Sequence, residues 1–362
     1  MKWGSVYYWL ILVIILASGT VLLWKSVSVS WTDNYFAPTN YQIVKTIDKS
    51  SPHQLLFVGD IMLGRNVETL SAKNSYYPFE KIGQLFDGAN QIVGNLEGPI
   101  PVIHKQTPIK GFGFSFPVTA VSALQKARVG VVSLANNHTT DQGALGYQET
   151  RRVLEDGGIS TFGHPTEISR LTSVSRILVG KCSLFIVGIN ATFPSFDKFA
   201  AEELVQSLGN ERDTETNAMC PHENILVYIH WGEEYQPTSN IQQQNLAHFI
   251  IDSGADLIIG SHMHVVQEIE NYNGKYILYS LGNFIFDQYF SEDVGDGLAV
   301  RIQISEDSGK ITALELLPTK SIRSQPAPME EADRMVFLIS LAKKSSANLR
   351  TRILNGTISE FE

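Results

Sequence analysis

At 362 residues, 43% hydrophobic and 18% charged, the chain is long enough for one large domain or two small ones with a well-buried core, and it carries no low-complexity tract. A formal net charge of −9 argues against a general nucleic-acid binder, which shows a basic surface. Neither of the two cysteines, Cys182 and Cys220, belongs to a C-x-x-C pair, so a thiolate zinc site is disfavoured, while a disulfide and free buried thiols both stay open.

The first element is apolar. Residues 6–24 (VYYWLILVIILASGTVLLW) carry no charge and lie between Lys2 and Lys25. About twenty apolar residues cross a bilayer as a helix, and Trp3, Tyr7, Tyr8 and Trp24 sit where interfacial aromatics are favoured. With no clean A-x-A-like exit, residues 1–25 read as an uncleaved signal anchor, the alternatives being a cleaved signal peptide or a core helix. The anchor type, not charge asymmetry, puts the domain outside the cytoplasm. Residues 26–52 are a polar stalk with one short strand near 41–46, residues 53–325 form the domain, and residues 326–362 give a helix and tail packed on it.

Within the domain, apolar β-runs end abruptly in polar residues: LLFVGD (55–60), IVGNLE (92–97), VGVVSLANNH (129–138), ILVYIHWG (225–232) and LIIGSHMH (257–264). Helical spacing intervenes at 117–128, at 143–156 with its Gly157-Gly158 stop, and at 241–254, where Asn240 caps a helix facing Leu246, Phe249 and Ile250 inward. Hairpins follow, turning at Gly180-Lys181, Asn273-Gly274 and near Ser308-Gly309, and residues 330–341 form an amphipathic helix. Alternating β/α units with hairpins predict an α/β protein of two packed mixed sheets flanked by helices.

In such sheets, catalytic groups gather at the carboxyl ends of the strands. His262 and His264, at i and i+2 of an extended segment, point the same way, and His230 follows the neighbouring strand. Asp60, Asn95 and Glu97 add oxygen donors, and Asn136, Asn137 and His138 form a polar cluster after VVSLA. Nitrogen and oxygen ligands without thiolates fit one or two ions of Mn, Fe or Zn. Such a metal lowers the pKa of bound water and neutralises charge on an attacked oxygen. His138 is the candidate general acid, oriented by Asp141, and Arg65 is placed to meet a substrate anion. Asn136 and Asn283 are candidate substrate contacts. No G-x-S-x-G elbow or glycine-rich phosphate loop is present.

GDIMLGR (59–65), GNLEGPI (94–100), LANNHTTDQG (134–143), IHWGEEY (229–235), GSHMHVVQ (260–267) and YSLGNFIFDQ (279–288) together resemble the bacterial capsule-synthesis proteins of the CapA type, implicated in poly-γ-glutamate production. The resemblance implies a membrane-anchored, outward-facing domain with a calcineurin-like metallophosphoesterase fold. It also implies work on a capsule or envelope polymer, as a metal-dependent hydrolase or transferase or as a metal-bearing scaffold. Other synthase subunits and an anionic polymer or its precursor are the implied partners. Asp60 matches the first metal-binding aspartate, Asn95 and Glu97 the bridging acidic motif, Asn137 and His138 the Asn-His pair, and His230, His262 and His264 the late histidines. Two departures stand out: the Asp-x-His pattern of phosphoesterases reads Asp60-Ile-Met62, and Asn95 replaces the bridging aspartate.

Overall fold

The computed structural model describes residues 42–44, 53–215, 220 and 222–359. The expected anchor (1–25), and the stalk (26–52) apart from 42–44, lie outside the described residues. Among the described residues no helix is long and apolar enough to cross a membrane. The described residues belong to one compact unit.

The elements run β1 (Gln42–Val44), β2 (His53–Ile61), α1 (Arg65–Ser71), β3 (Gln91–Leu96), α2 (Thr119–Lys126), β4 (Val129–Ser133), α3 (Gly143–Asp156), β5 (Ser160–Phe162), α4 (Arg170–Ser173), β6 (Val174–Val179) and β7 (Cys182–Asn190). They continue as α5 (Lys198–Glu215), β8 (Asn224–His230), α6 (Ile241–Asp252), β9 (Leu257–Ser261), β10 (Ile269–Tyr272), β11 (Lys275–Leu278), β12 (Asn283–Ile285) and β13 (Asp296–Ile304). The last are β14 (Ile311–Ile322), β15 (Gln325–Pro328), α7 (Glu331–Lys344), α8 (Arg350–Leu354) and β16 (Thr357–Ser359).

Two mixed sheets result, as expected for the α/β class. One has the order β1-β6-β7-β8-β9-β11-β10; the other runs β15-β14-β13-β2-β3-β4-β5, with β12 added to β2 and β16 to β14. Strands β2 to β5 are parallel, and so are β7, β8 and β9. Their apolar runs are continuous because both faces are covered. Leu55 and Phe57 face the core between the sheets, with Leu226 and Ile259 opposite. Leu56 and Val58 face outward onto Ala120 and Leu124 of α2. On the other sheet Val187 and Val227 face Val205 of α5 and Ile250 of α6. The Tyr228 hydroxyl donates to the Val58 carbonyl at 2.8 Å, joining the two sheets through a buried bond.

Two glycines let strand ends approach closely. A Cβ on Gly59 would lie 1.9 Å from the Gly282 carbonyl oxygen, and one on Gly260 2.0 Å from that of Tyr279. Both adjoin residues expected in the site.

The hairpins turn where the sequence places them, with positive φ at Gly180, Asn273, Gly274 and Gly309. Asn240 caps α6 in a reciprocal capping box with Gln243. The buried face of α6 is Gln243, Ala247, Ile250 and Ile251, whereas Leu246 and Phe249 are only half-buried. Phe249 is turned to Phe199 of α5, ring centres 6.2 Å apart. The expected boundary at 325/326 cuts β15, and β16 returns to pair with β14. The C-terminal segment is thus part of the sheet. Cys182 and Cys220 form a disulfide.

Candidate metal centre

The carboxyl ends of β2, β3, β4, β8 and β9 converge at one edge of the sandwich. Asp60, Glu97 and His264 are buried, and one donor atom from each lies within 4.8 Å of the others. Asp60 Oδ2 is 3.6 Å from His264 Nδ1. Glu97 Oε1 is 3.8 Å from His264 Nε2 and 3.9 Å from His138 Nε2. His264 Nδ1 lies 2.9 Å from Asn283 Oδ1. The acceptor oxygen places the proton on Nδ1 and turns the Nε2 lone pair toward Glu97.

A second group adjoins the first. His230 Nε2 is 2.8 Å from Asn137 Oδ1, and its Nδ1 is 2.9 Å from the Ser261 hydroxyl. His262 lies against it, with ring centroids 4.6 Å apart. His262 and His264 take φ of +100° and +58°, a left-handed region that non-glycine residues adopt at a cost and that gathers at functional sites.

Burial, and next the Asp60 carboxylate, push the Glu97 pKa well above the ordinary carboxylate range. Burial lowers His230 far below its usual value, with His262 adding to it. Burial, then His264, brings His262 down to about 4. The latter two imidazoles are therefore neutral at pH 7, the state a metal requires. Among the described residues Glu97 Oε1 and His262 Nδ1 are buried without a hydrogen-bond partner, and leaving such atoms unpaired costs free energy. A donor set of two buried carboxylates, imidazoles and an amide oxygen fits a divalent cation of nitrogen and oxygen preference.

Three expected site residues, Asn136, Asn95 and Asn283, spend their polar atoms on neighbouring residues of the site. Asn136 is fully buried. Its NH2 donates to Asn95 Oδ1 and the Leu96 carbonyl, both at 2.9 Å, and its oxygen accepts from His138 N and Thr139 Oγ1. The backbone partners fix its amide orientation, so Asn95 must present its oxygen to Asn136 and its NH2 to the carboxylates. Asn95 Nδ2 accordingly donates to Asp60 Oδ1 at 2.8 Å and lies 3.5 Å from Glu97 Oε2. Through these bonds Asn95 orients both acids. Asn283 is buried and occupied by His264, Gln288 and the Val294 carbonyl, so it orients His264.

His138 Nδ1 is held by Asp141 Oδ2 at 2.8 Å, and Phe114 stacks on its ring at 4.1 Å. Arg65 is no free anion receptor. Its guanidinium pairs with Asp287 and lies over Phe114 and Phe286, 4.9 and 5.4 Å from the ring centres. Met62 is buried among apolar side chains of the outer core. Asp287, Phe114 and Ser261 also support site residues, beside Arg65, His138 and His230. Asp287 is the one with a signal in the sequence, as a carboxylate closing the apolar run FIF.

Residues 54–288 match the family described as "Bacterial capsule synthesis protein PGA_cap". The chain is similar to "Capsule biosynthesis protein CapA" of Bacillus anthracis, 28% identical over 292 residues that cover 77% of this chain and 70% of that one. It is likewise similar to "PGA biosynthesis protein CapA" of Bacillus subtilis (strain 168), 30% identical over 313 residues, 83% of this chain and 80% of that one. Among solved structures, a hypothetical protein from Thermus thermophilus aligns at TM-score 0.47 and 18% identity, covering 74% of this chain and 99% of that one. By its family match and its relatives, this chain belongs to the bacterial capsule synthesis PGA_cap family.

Proposed function

We propose that the chain is a membrane-anchored accessory of poly-γ-glutamate or related envelope-polymer synthesis. It acts through a metal-dependent hydrolase or transferase site of metallophosphoesterase type. The observation that carries this reading is the buried Asp60–Glu97–His264 cluster, with atoms of Glu97 and His262 beside it that have no hydrogen-bond partner among the described residues. One or two divalent ions (Mn, Fe or Zn) held by Asp60, Glu97, Asn137, His230, His262 and His264 would activate water and neutralise an attacked phosphoryl or carbonyl oxygen. His138, its Nδ1 held by Asp141, would give a proton from Nε2 to the leaving group.

The apolar run at 6–24 supports an anchor in the cell membrane. The Cys182–Cys220 disulfide supports a domain outside the cytoplasm, since such bonds persist in oxidising compartments. The partners are other subunits of the polymer synthase and the anionic polymer or its precursor.

A second reading, a metal-bearing scaffold without turnover, is favoured by one observation. Met62 takes the place of a histidine ligand, and its side chain is sealed in the core. Full-length protein decides between them through metal content and turnover of a generic phosphodiester and of poly-γ-glutamate, for wild type and His138→Ala. An enzyme keeps its metal and loses turnover in the variant. A scaffold binds metal and turns over neither substrate in either form.

A further inference from the structure

Between Glu97 and Asp141 the chain has no acidic residue, although its net charge is −9; the same stretch carries Lys105, Lys110, Lys126 and Arg128. Residues 101–113 of it form a loop beside the candidate metal centre. Here Ile103 is 89% exposed, Phe112 84%, Ile109 63% and Val102 58%, with Lys105 and Lys110 exposed among them. Large apolar side chains gathered this openly on one element mark an interaction surface.

The loop is built to hold them outward. Val102 N donates to Glu149 Oε2 at 2.8 Å. His104 bridges Ser115 Oγ at 2.8 Å and Glu68 Oε1 at 2.9 Å. Thr107 Oγ1 donates to the Gly113 carbonyl at 2.9 Å, and Gly111 N to that of Pro108 at 2.7 Å. The acids beneath the loop, Glu68 and Glu149, are thus used as struts, leaving an outer face of apolar side chains and lysines.

We propose that this loop docks on an anionic lipid bilayer. Ile103, Ile109 and Phe112 enter the headgroup region, and Lys105 and Lys110 meet lipid phosphates. Charge decides the occupant: a cationic, apolar element on an otherwise acidic protein is attracted to an anionic surface, and lysine stems lie along the apolar boundary with their charges outward. The proposal goes beyond the reading of the metal centre and stands whether or not that centre turns over. It has a consequence for the site, because Phe114, at the base of the same loop, stacks on His138. A docked loop therefore holds the centre close to the headgroups, where a substrate kept at the membrane surface meets it.

The test places a nitroxide on full-length protein through Ile103→Cys or Phe112→Cys, with Leu171→Cys, at a side chain 68% exposed, as the reference. The protein is reconstituted in vesicles of equal parts phosphatidylglycerol and phosphatidylcholine, and in phosphatidylcholine alone. The expected result in the anionic vesicles is a reversal of accessibility at 103 and 112. Collisions with oxygen exceed those with a water-soluble nickel complex there, and the label at 171 stays water-like. The paired change Lys105→Glu, Lys110→Glu returns 103 and 112 to water-like values. Labels at 103 and 112 that match the one at 171 in both vesicles overturn the proposal. So does immobilisation without oxygen excess, which a protein partner or second copy would give.

Discussion

Asn283 Oδ1 sits 2.9 Å from His264 Nδ1, so β12, paired in parallel with the end of β2, sets both the tautomer and the direction of a histidine 19 positions earlier. The other two bonds of that amide, to Gln288 and Val294, leave it no freedom to turn. Asn283→Ala is expected to weaken metal binding about 10- to 100-fold, as loss of a partner behind a ligating histidine does, and the fold survives. Titration against a competing chelator measures this. Unchanged affinity would mean that His264 is not a ligand.

Asn95 separates two acids with its NH2 group. Asn95→Asp replaces that donor by a third carboxylate. The metal-free protein should lose roughly 1–3 kcal/mol through an unsatisfied buried acid, while metal-loaded protein binds more tightly. Thermal unfolding with and without added Mn or Zn reads both effects. Loss of stability in both states alike would count against a cation between the acids.

Neutral buried histidines make metal-free stability depend on pH. The unfolded His262 titrates near 6.5 and the folded one at about 4. Between these values the unfolded chain takes up a proton that the folded chain refuses, so stability rises with pH across that window. The loss by pH 4 is about 3 kcal/mol from this residue. His230 acts in the same direction. Glu97 acts oppositely, because its raised folded pKa keeps a proton the unfolded form has lost, and stability falls as pH rises there. Urea unfolding of wild type and His262→Gln at a series of pH values isolates the histidine: the variant should show a shallower acid loss. Parallel curves would show that His262 is not neutral in the fold.

The disulfide between Cys182 and Cys220 closes a loop spanning 38 positions. Replacing both by serine should cost about 2–4 kcal/mol in denaturant unfolding without altering metal content, because the bond lies at the amino end of β7 while the ligands lie at the carboxyl ends of the strands. Metal lost together with the disulfide would mean that the loop supports the centre.

The strand ends were legible in the sequence because apolar runs with both faces buried stop where the site begins, as LLFVG stops at Asp60. The hairpins were legible because Asn-Gly and Gly-Lys turns need positive φ. Amide direction was not: whether Asn95 offers oxygen or NH2 depends on Asn136, 41 positions away, and on the backbone that fixes Asn136. Nor was the fate of Arg65, whose partner Asp287 lies 222 positions on. The loop at 101–113 was opaque for another reason. IPVIHKQTPIKGFGF has the composition of core and turn alike, and only the fold sets its Ile103 and Phe112 outside. Strands as short as β15 and β16 carry too few residues to show a period.

The most direct measurement is the metal content of the full-length protein purified with Mn, Fe and Zn present, for wild type, Glu97→Gln and His264→Gln, with circular dichroism to confirm folding. One or two equivalents are expected in the wild type, with loss of metal from both folded variants. Wild-type protein without bound metal, or variants that retain it fully, would rule out a metal centre at Asp60, Glu97 and His264.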